Sequence, residues 1–340
     1  MKKLSIDQVA ELAYVSRSVV SRVLNNHQNV SDEARERVMK VVEEHNYQPS
    51  SVARGLATNK NYEIGILAPK RSDEALGNGF WSILHLGIFE ECIDKGYFVT
   101  LSPISTDKNA EINEHILDDR RLDGYLLLTQ EITDFVINKF NEQDAPMVIV
   151  GHDEQHPELH SIDVDNYLGV QQSTNHLIEL GHERIGAIMA TPTMKECQER
   201  LRGYKTALEK AGLPIQDKYI AMQDYTQKHG YETMKKWIRD GLDITALVCM
   251  SDTLAMGALL ALNEENIPVP EQFSVVGFDD LPISQYTIPP LTTVKQPIYE
   301  KGRQAANMLM KLIADNSGEV THTNLAPELV VRSSTASPPQ

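Results

Sequence analysis

Residues 15–26 read VSRSVVSRVLNN: two arginines, Arg17 and Arg22, stand among the hydroxyls of Ser16, Ser18 and Ser21, with no acid between them. A guanidinium can grip guanine O6 and N7 with two hydrogen bonds. Serines near helix starts donate to phosphates and let the backbone come close. The chemistry suggested is recognition of duplex DNA, provided the donors share one side of a helix. The same pattern also suits a small bundle with a merely solvated polar face.

The surrounding residues supply the required elements. Ser5 is placed to cap a helix from Ile6 to about Ala13, with Val9 and Leu12 on one face. After a break at Tyr14-Val15, Ser16 caps a second helix, about Arg17 to Leu24. Val20, Val23 and Leu24 turn inward there, and Arg17, Ser18, Ser21 and Arg22 fall outside that face. Ser31 caps a third helix, with Asp32 and Glu33 in the first turn where the helix dipole favours acids. Three short helices with a tight turn between the first two make a helix-turn-helix.

Charge is distributed in keeping with that reading. The 340 residues carry a net charge of −16. Residues 1–62 hold nine bases and seven acids, a balance of +2, which leaves −18 for the rest. Such a body repels DNA, so contact falls to the N-terminal segment and should weaken with salt. No apolar run approaches the ~18 residues of a spanning helix, and the N-terminus lacks the apolar stretch of an export signal, so a cytoplasmic protein without membrane contact is expected. Cys92, Cys197 and Cys249 form no paired framework and fit a reducing compartment. HExxH, GxSxG and Walker sequences are absent, so neither an enzyme nor a bound cofactor is expected. His152, Asp153, His156 and His160 cluster, but Pro157 breaks the helix that would gather them on a metal.

SIDQVAELAYVSRSVVSRVLNN, followed by VSDEARERVMKVVEEHNYQPSSVARGL, resembles the head of the lactose-repressor/galactose-repressor (LacI/GalR) family. The VSxxxVSRVLN core and the YxPxxxARxL segment, opened by Tyr47, carry the likeness. The resemblance implies that Arg17, Ser18 and Arg22 read base edges. It implies that Asn25 and the capping serines Ser5, Ser16 and Ser31 position phosphates, with Ser21 and Tyr47 completing the set. Where the family usually has AGVS, this chain has Ala13-Tyr14-Val15-Ser16. A positive φ costs a non-glycine residue roughly 1 kcal/mol, so either the turn is reshaped or packing of Tyr14 offsets the strain.

Residues 49–61 are too short and polar to form a core. Alone they read as a linker, since seven or eight residues cannot hold a helix in water. By resemblance they are a hinge helix that folds on DNA, with Val52 and Ala53 on its face and Leu56 as a wedge in the minor groove.

Beyond Tyr62, apolar runs (EIGILAP, DGYLLL, PMVIVG, RIGAIM, TALVCM, FSVVGF) alternate with amphipathic stretches, the pattern of doubly wound parallel sheets covered by helices. The fold class expected is α/β: an all-α helix-turn-helix head (1–48), a hinge (49–61) and a two-lobe body (62–340). The first crossing between lobes falls near Asp165, and LTTVKQP, bracketed by prolines, reads as the return. Lobe 1 is therefore about 62–165 plus 291–325, and lobe 2 about 166–290 plus 326–334. SSTASPPQ reads as a frayed tail.

LIELGHERIG, QERLRGYKTAL and SDTLAMGALLALNEENIPVPEQFSVVGFDD extend the resemblance over about 330 residues and imply a periplasmic-binding-protein-like body with a ligand between its lobes. Ligands in such sheets lie beyond the carboxyl ends of strands. By resemblance Arg200 and Asp279 bind ligand, Phe80 and Trp81 form an aromatic wall, Tyr225 is a second aromatic position, and Ser251 and His152 stand at further contacts. The expected protein is a homodimeric repressor of carbohydrate-utilisation genes. It binds a near-palindromic DNA operator and responds to a small sugar or glycoside. A purine, nucleoside or phosphoprotein corepressor is the alternative, and a sugar-binding protein without regulatory role a weaker one.

Overall fold

The computed structural model describes residues 4–24, 29–45, 47, 60–69, 79–104, 122–128, 137, 140, 142, 145–151, 156–191, 194–315 and 319–339. The chain divides after Tyr62 into two compact units.

The first unit contains α1 (Ile6–Leu12), α2 (Arg17–Leu24) and α3 (Asp32–Glu44). Their starts follow the capping logic. Ser5 accepts from the Gln8 amide, and the Gln8 side chain returns a bond to the Ser5 amide, a complete capping box. The Ser31 hydroxyl accepts from Ala34. Val9, Val20, Val23 and Val38 meet in the core. Each buried valine contributes about 1.5–3 kcal/mol, which is why three short helices hold together.

The second unit is two lobes, each with a six-stranded sheet among the described residues. In lobe 1, β1 (Glu63–Pro69), β2 (Phe98–Ile104), β3 (Gly124–Leu127), β4 (Met147–Val150), β5 (His160–Val164) and β11 (His322–Leu325) pair in parallel, in the order β11-β5-β4-β3-β1-β2. Helices α4 (Gly79–Asp94) and α9 (Ile298–Ala314) pack together, and α9 lies on β3, β4 and β5. In lobe 2, β6 (Ile185–Ala190), β7 (Ile220–Gln223), β8 (Ala246–Cys249), β9 (Ser274–Asp279), β10 (Thr292–Lys295) and β12 (Glu328–Val330) run in the order β12-β10-β9-β8-β6-β7. Only β12 is antiparallel to its neighbour in that sheet. Helices α5 (Asn166–Glu179) and α6 (Lys195–Lys210) pack as one pair; α7 (Gln227–Arg239) and α8 (Asp252–Glu264) form another.

The chain first leaves lobe 1 at Asp165, between β5 and α5. The return falls later than the prolines suggested. Residues 292–295 hydrogen-bond to β9 as a lobe 2 strand, so lobe 1 resumes at α9 rather than at residue 291. The tail also differs from expectation. Ser334 is fully buried; its hydroxyl donates to the Val275 carbonyl and accepts from the Thr292 amide. His182 holds the next turn through the Ala336 carbonyl. These polar anchors make SSTA a strap across the sheet, where composition alone reads as fraying.

Candidate functional site

On α2 the apolar and donor faces separate as the helical period requires. Val20 and Val23 are buried, while Ser16, Arg17, Ser18 and Arg22 are exposed and Ser21 is half-buried. The Ser16 and Ser18 hydroxyls lie 2.8 Å apart. Arg17 approaches Asp7 at 3.9 Å with both side chains about two-thirds exposed, so the pair restrains the guanidinium little. Tyr47 instead packs in the core of this unit, and burial, then Asp7, raises its pKa.

The turn before α2 keeps regular geometry. The Tyr14 amide donates to Glu11 and the Val15 amide to Ala10, the paired bonds of a Schellman cap. Tyr14 occupies the left-handed position of that cap at φ 52. Its side chain is 85% exposed. The turn is therefore not reshaped, and packing within the unit does not offset the strain. Asn25, Val52, Ala53, Leu56 and His152 lie outside the described residues.

In the body, loops and helix starts at the carboxyl ends of the strands bring together groups far apart in sequence. Gly203 lets α6 lie close on α5: an added Cβ would stand 2.4 Å from the Tyr167 carbonyl. That approach delivers Arg200 to Asn166, where its Nε donates to Oδ1 at 2.8 Å. Arg200 Nη1 donates to the Met250 carbonyl at 2.6 Å, and the guanidinium lies 3.9 Å over the Phe278 ring. Gly302 has the same role on α9, where a Cβ would meet the Leu84 carbonyl at 2.3 Å. Beside it, buried Lys301 donates to Asp163 at 2.6 Å and stands 5.9 Å from the centre of the Phe80 ring. Asn166 closes the path by donating to the other Asp163 oxygen at 3.2 Å. One chain of hydrogen bonds thus runs Lys301–Asp163–Asn166–Arg200–Met250, from lobe 1 into lobe 2.

Asp279 is buried at the end of β9, at φ 125, and accepts from Gln296 Nε2 at 2.5 Å. Burial raises its pKa to about 7, with Arg200 opposing and Asp252 adding to the rise. Asp252, fully buried, takes bonds from Ser284, Thr293 and the Leu281 amide; burial raises it to about 6. Glu196 Oε2 is buried with no hydrogen-bond partner among the described residues, and burial followed by Asp163 raises its pKa. The Tyr225 hydroxyl lies 3.1 Å from Cys197 Sγ, and burial lifts its pKa well above the usual range. Ser251 caps α8 by accepting from Leu254. Trp81 meets Phe80 edge-on and lies against His85 on α4.

Arg200, Asp279 and Tyr225 thus neighbour one another, and Phe80 lies at the Lys301 end of the same chain of bonds. Asp163, Asn166, Glu196, Gln296 and Lys301 join them without having been expected. For Lys301 a signal existed: it sits on the buried stripe of α9 with Ile298, Ala305, Leu309 and Leu312, where a lone cation needs a partner. Nothing local in the sequence points to Asp163 or Glu196.

Comparison with known proteins follows the same division. Residues 5–50 match the lacI family of bacterial regulatory proteins, and residues 174–335 match a periplasmic binding protein-like domain. The HTH-type transcriptional repressor PurR of Photobacterium profundum is 31% identical over 334 residues, covering 97% of this chain and 98% of that protein. PurR of Haemophilus influenzae (strain PittEE) is 32% identical, covering 98% and 99%. Among solved structures, the Lac repressor dimer bound to operator and the anti-inducer ONPF aligns with TM-score 0.82 and 27% identity, over 98% of this chain and 100% of that one. A transcriptional regulator CelR–cellobiose complex aligns with TM-score 0.74 and 29% identity, over the same shares. A LacI family regulator from Enterococcus faecium with bound ribose aligns with TM-score 0.72 and 25% identity, over 81% and 99%.

Proposed function

The chain belongs to the LacI family and is a DNA-binding repressor of that family, and from this premise we propose that its effector is a sugar or glycoside held between the lobes. One observation carries the proposal: Arg200 and Asp279 are buried, and the chain of bonds from Arg200 ends at Lys301, 5.9 Å from the centre of the Phe80 ring that Trp81 meets edge-on. A sugar presents hydroxyls to such polar groups and a C–H face to an aromatic ring. Asp163 is paired with Lys301, and burial favours the neutral form of Glu196 and Asp279, which leaves hydrogen-bonding groups suited to an uncharged, hydroxyl-bearing ligand. The neighbours solved with cellobiose and with ribose support the same class. A purine is the second reading, favoured by the long relatives named PurR.

Two heads in a homodimer meet the half-sites of a near-palindromic operator. Arg17, Ser18 and Arg22 read bases, while Ser5, Ser16, Ser21 and Ser31 face phosphates. Effector binding changes the relation of the lobes and hence the spacing of the two hinges. The coupling is reciprocal, and at ~1–3 kcal/mol it changes DNA affinity about 5- to 150-fold. The test is binding of the purified protein to DNA from upstream of its own gene, over a salt series, with cellobiose, ribose and adenine. Salt-sensitive, sequence-selective binding that a sugar alone changes supports the proposal. Binding that adenine alone changes replaces the sugar with a purine.

A further inference from the structure

The turn between α1 and α2 combines three facts that its role as a connector leaves unexplained. Tyr14 occupies the left-handed position of a regular Schellman cap, where a side chain is strained and glycine is not. Its ring is 85% exposed, so packing within the head returns nothing for that strain. Its hydroxyl has no hydrogen-bond partner among the described residues. Backbone strain that the surrounding fold does not relieve is characteristic of positions held for binding. The location suits one: Tyr14 lies two residues before Ser16 and three before Arg17, the first residue of α2.

We infer that Tyr14 is a DNA-contact residue whose phenol O–H donates to a backbone phosphate flanking the half-site. The inference rests on the reading of α2 as the DNA-facing helix. The ligand chemistry is a phosphodiester oxygen of duplex DNA. A neutral phenol fixes the head against the phosphate chain without displacing a counterion, so it adds affinity of a kind that salt does not remove. A phosphate carries no base identity, so the contact acts on any duplex and not on the operator alone.

That property makes the test independent of the operator sequence. Full-length protein is titrated against a fluorescent 30-base-pair duplex pool of random sequence at several salt concentrations, as parent, Tyr14→Gly, Tyr14→Phe and Arg22→Ala. Loss of one hydrogen bond to a charged acceptor weakens binding about tenfold in both Tyr14 variants, with the slope of log K against log salt unchanged. Arg22→Ala weakens binding and flattens that slope. Hydrogen exchange in α1 slows in Tyr14→Gly, which relieves the strain, and stays at the parent rate in Tyr14→Phe, which keeps it. Affinity and local stability then move in opposite directions in Tyr14→Gly, a result that a purely structural tyrosine does not produce. Parent-like binding by either Tyr14 variant, with Arg22→Ala weakened, overturns the inference alone. Parent-like binding by Arg22→Ala as well overturns the α2 reading and the inference with it.

Discussion

The head and the cleft treat polar side chains in opposite ways. On α2, Arg17, Ser18 and Arg22 stand in solvent, and their neighbours constrain them weakly. Between the lobes, Asp163, Asn166, Arg200, Asp279 and Lys301 are all buried, and hydrogen bonds fix each of them. An exposed donor costs the fold almost nothing and waits for a partner to give it work. A buried charge must be satisfied within the protein, so these residues carry stability in their own right.

The largest expected consequence lies at Arg200. Arg200→Met leaves the Asn166 and Met250 acceptors without their donor and removes the positive charge that faces Asp279. The urea transition of the body should fall by about 3–5 kcal/mol, and effector response should vanish while DNA binding persists. Stability near that of the parent would mean that the cleft tolerates loose polar groups as the head does.

Lys301→Met strands Asp163 and should cost about 3 kcal/mol. Adding Asp163→Ile replaces the ion pair with packing and should recover stability to within about 1 kcal/mol of the parent. A double-mutant cycle in urea measures the difference. Additive losses would remove the pair from the chain of bonds that links the lobes.

The third consequence is a dependence on pH. Burial raises Asp252 from 3.8 to about 6, so the folded protein holds a proton that the unfolded chain releases. The contribution is fully present below pH ~4 and is lost as pH rises through about 6, a loss of roughly 2–3 kcal/mol. Asp279 acts in the same direction, to about 7. Urea titrations at pH 4 to 8 should show the stability of the body falling, and Asp252→Asn should remove the part lost between about pH 4 and 6. An unchanged slope in that variant would place the proton elsewhere.

The head should show the smallest changes. Ser31→Ala removes a helix cap and costs it about 1 kcal/mol by thermal unfolding. Arg17→Ala changes stability by no more than about 0.5 kcal/mol, since its partner Asp7 is exposed, yet weakens DNA binding. A large stability loss there would erase the contrast with the cleft.

Legibility follows the same division. In the head, Ser5, Ser31 and the Val20–Val23 face are local signals, and the structure has a cap or a core contact at each. In the body, strands such as Ile185–Ala190 and Ser274–Asp279 announce themselves as apolar runs. The strand at 292–295 did not, because flanking prolines resemble a boundary whether or not the residues between them join a sheet. The buried Ser334 strap was equally hidden, since small polar residues read as loose until their partners are known.

The sequence by itself determined where the three helices of the head lie and begin, which side of α2 faces outward, and that parallel sheets follow. Those properties depend on neighbours a few positions away, within reach of the helical and strand periods. Only the tertiary structure decided that Lys301 meets Asp163, 138 residues distant, and that Asn166 joins that pair to Arg200. Such pairings depend on how closely α5 packs on α6 and α4 on α9, and that closeness is set by backbone contacts at Gly203 and Gly302. A periodic pattern records which face of a helix is buried, but the distance to a side chain on another element arises from packing between them.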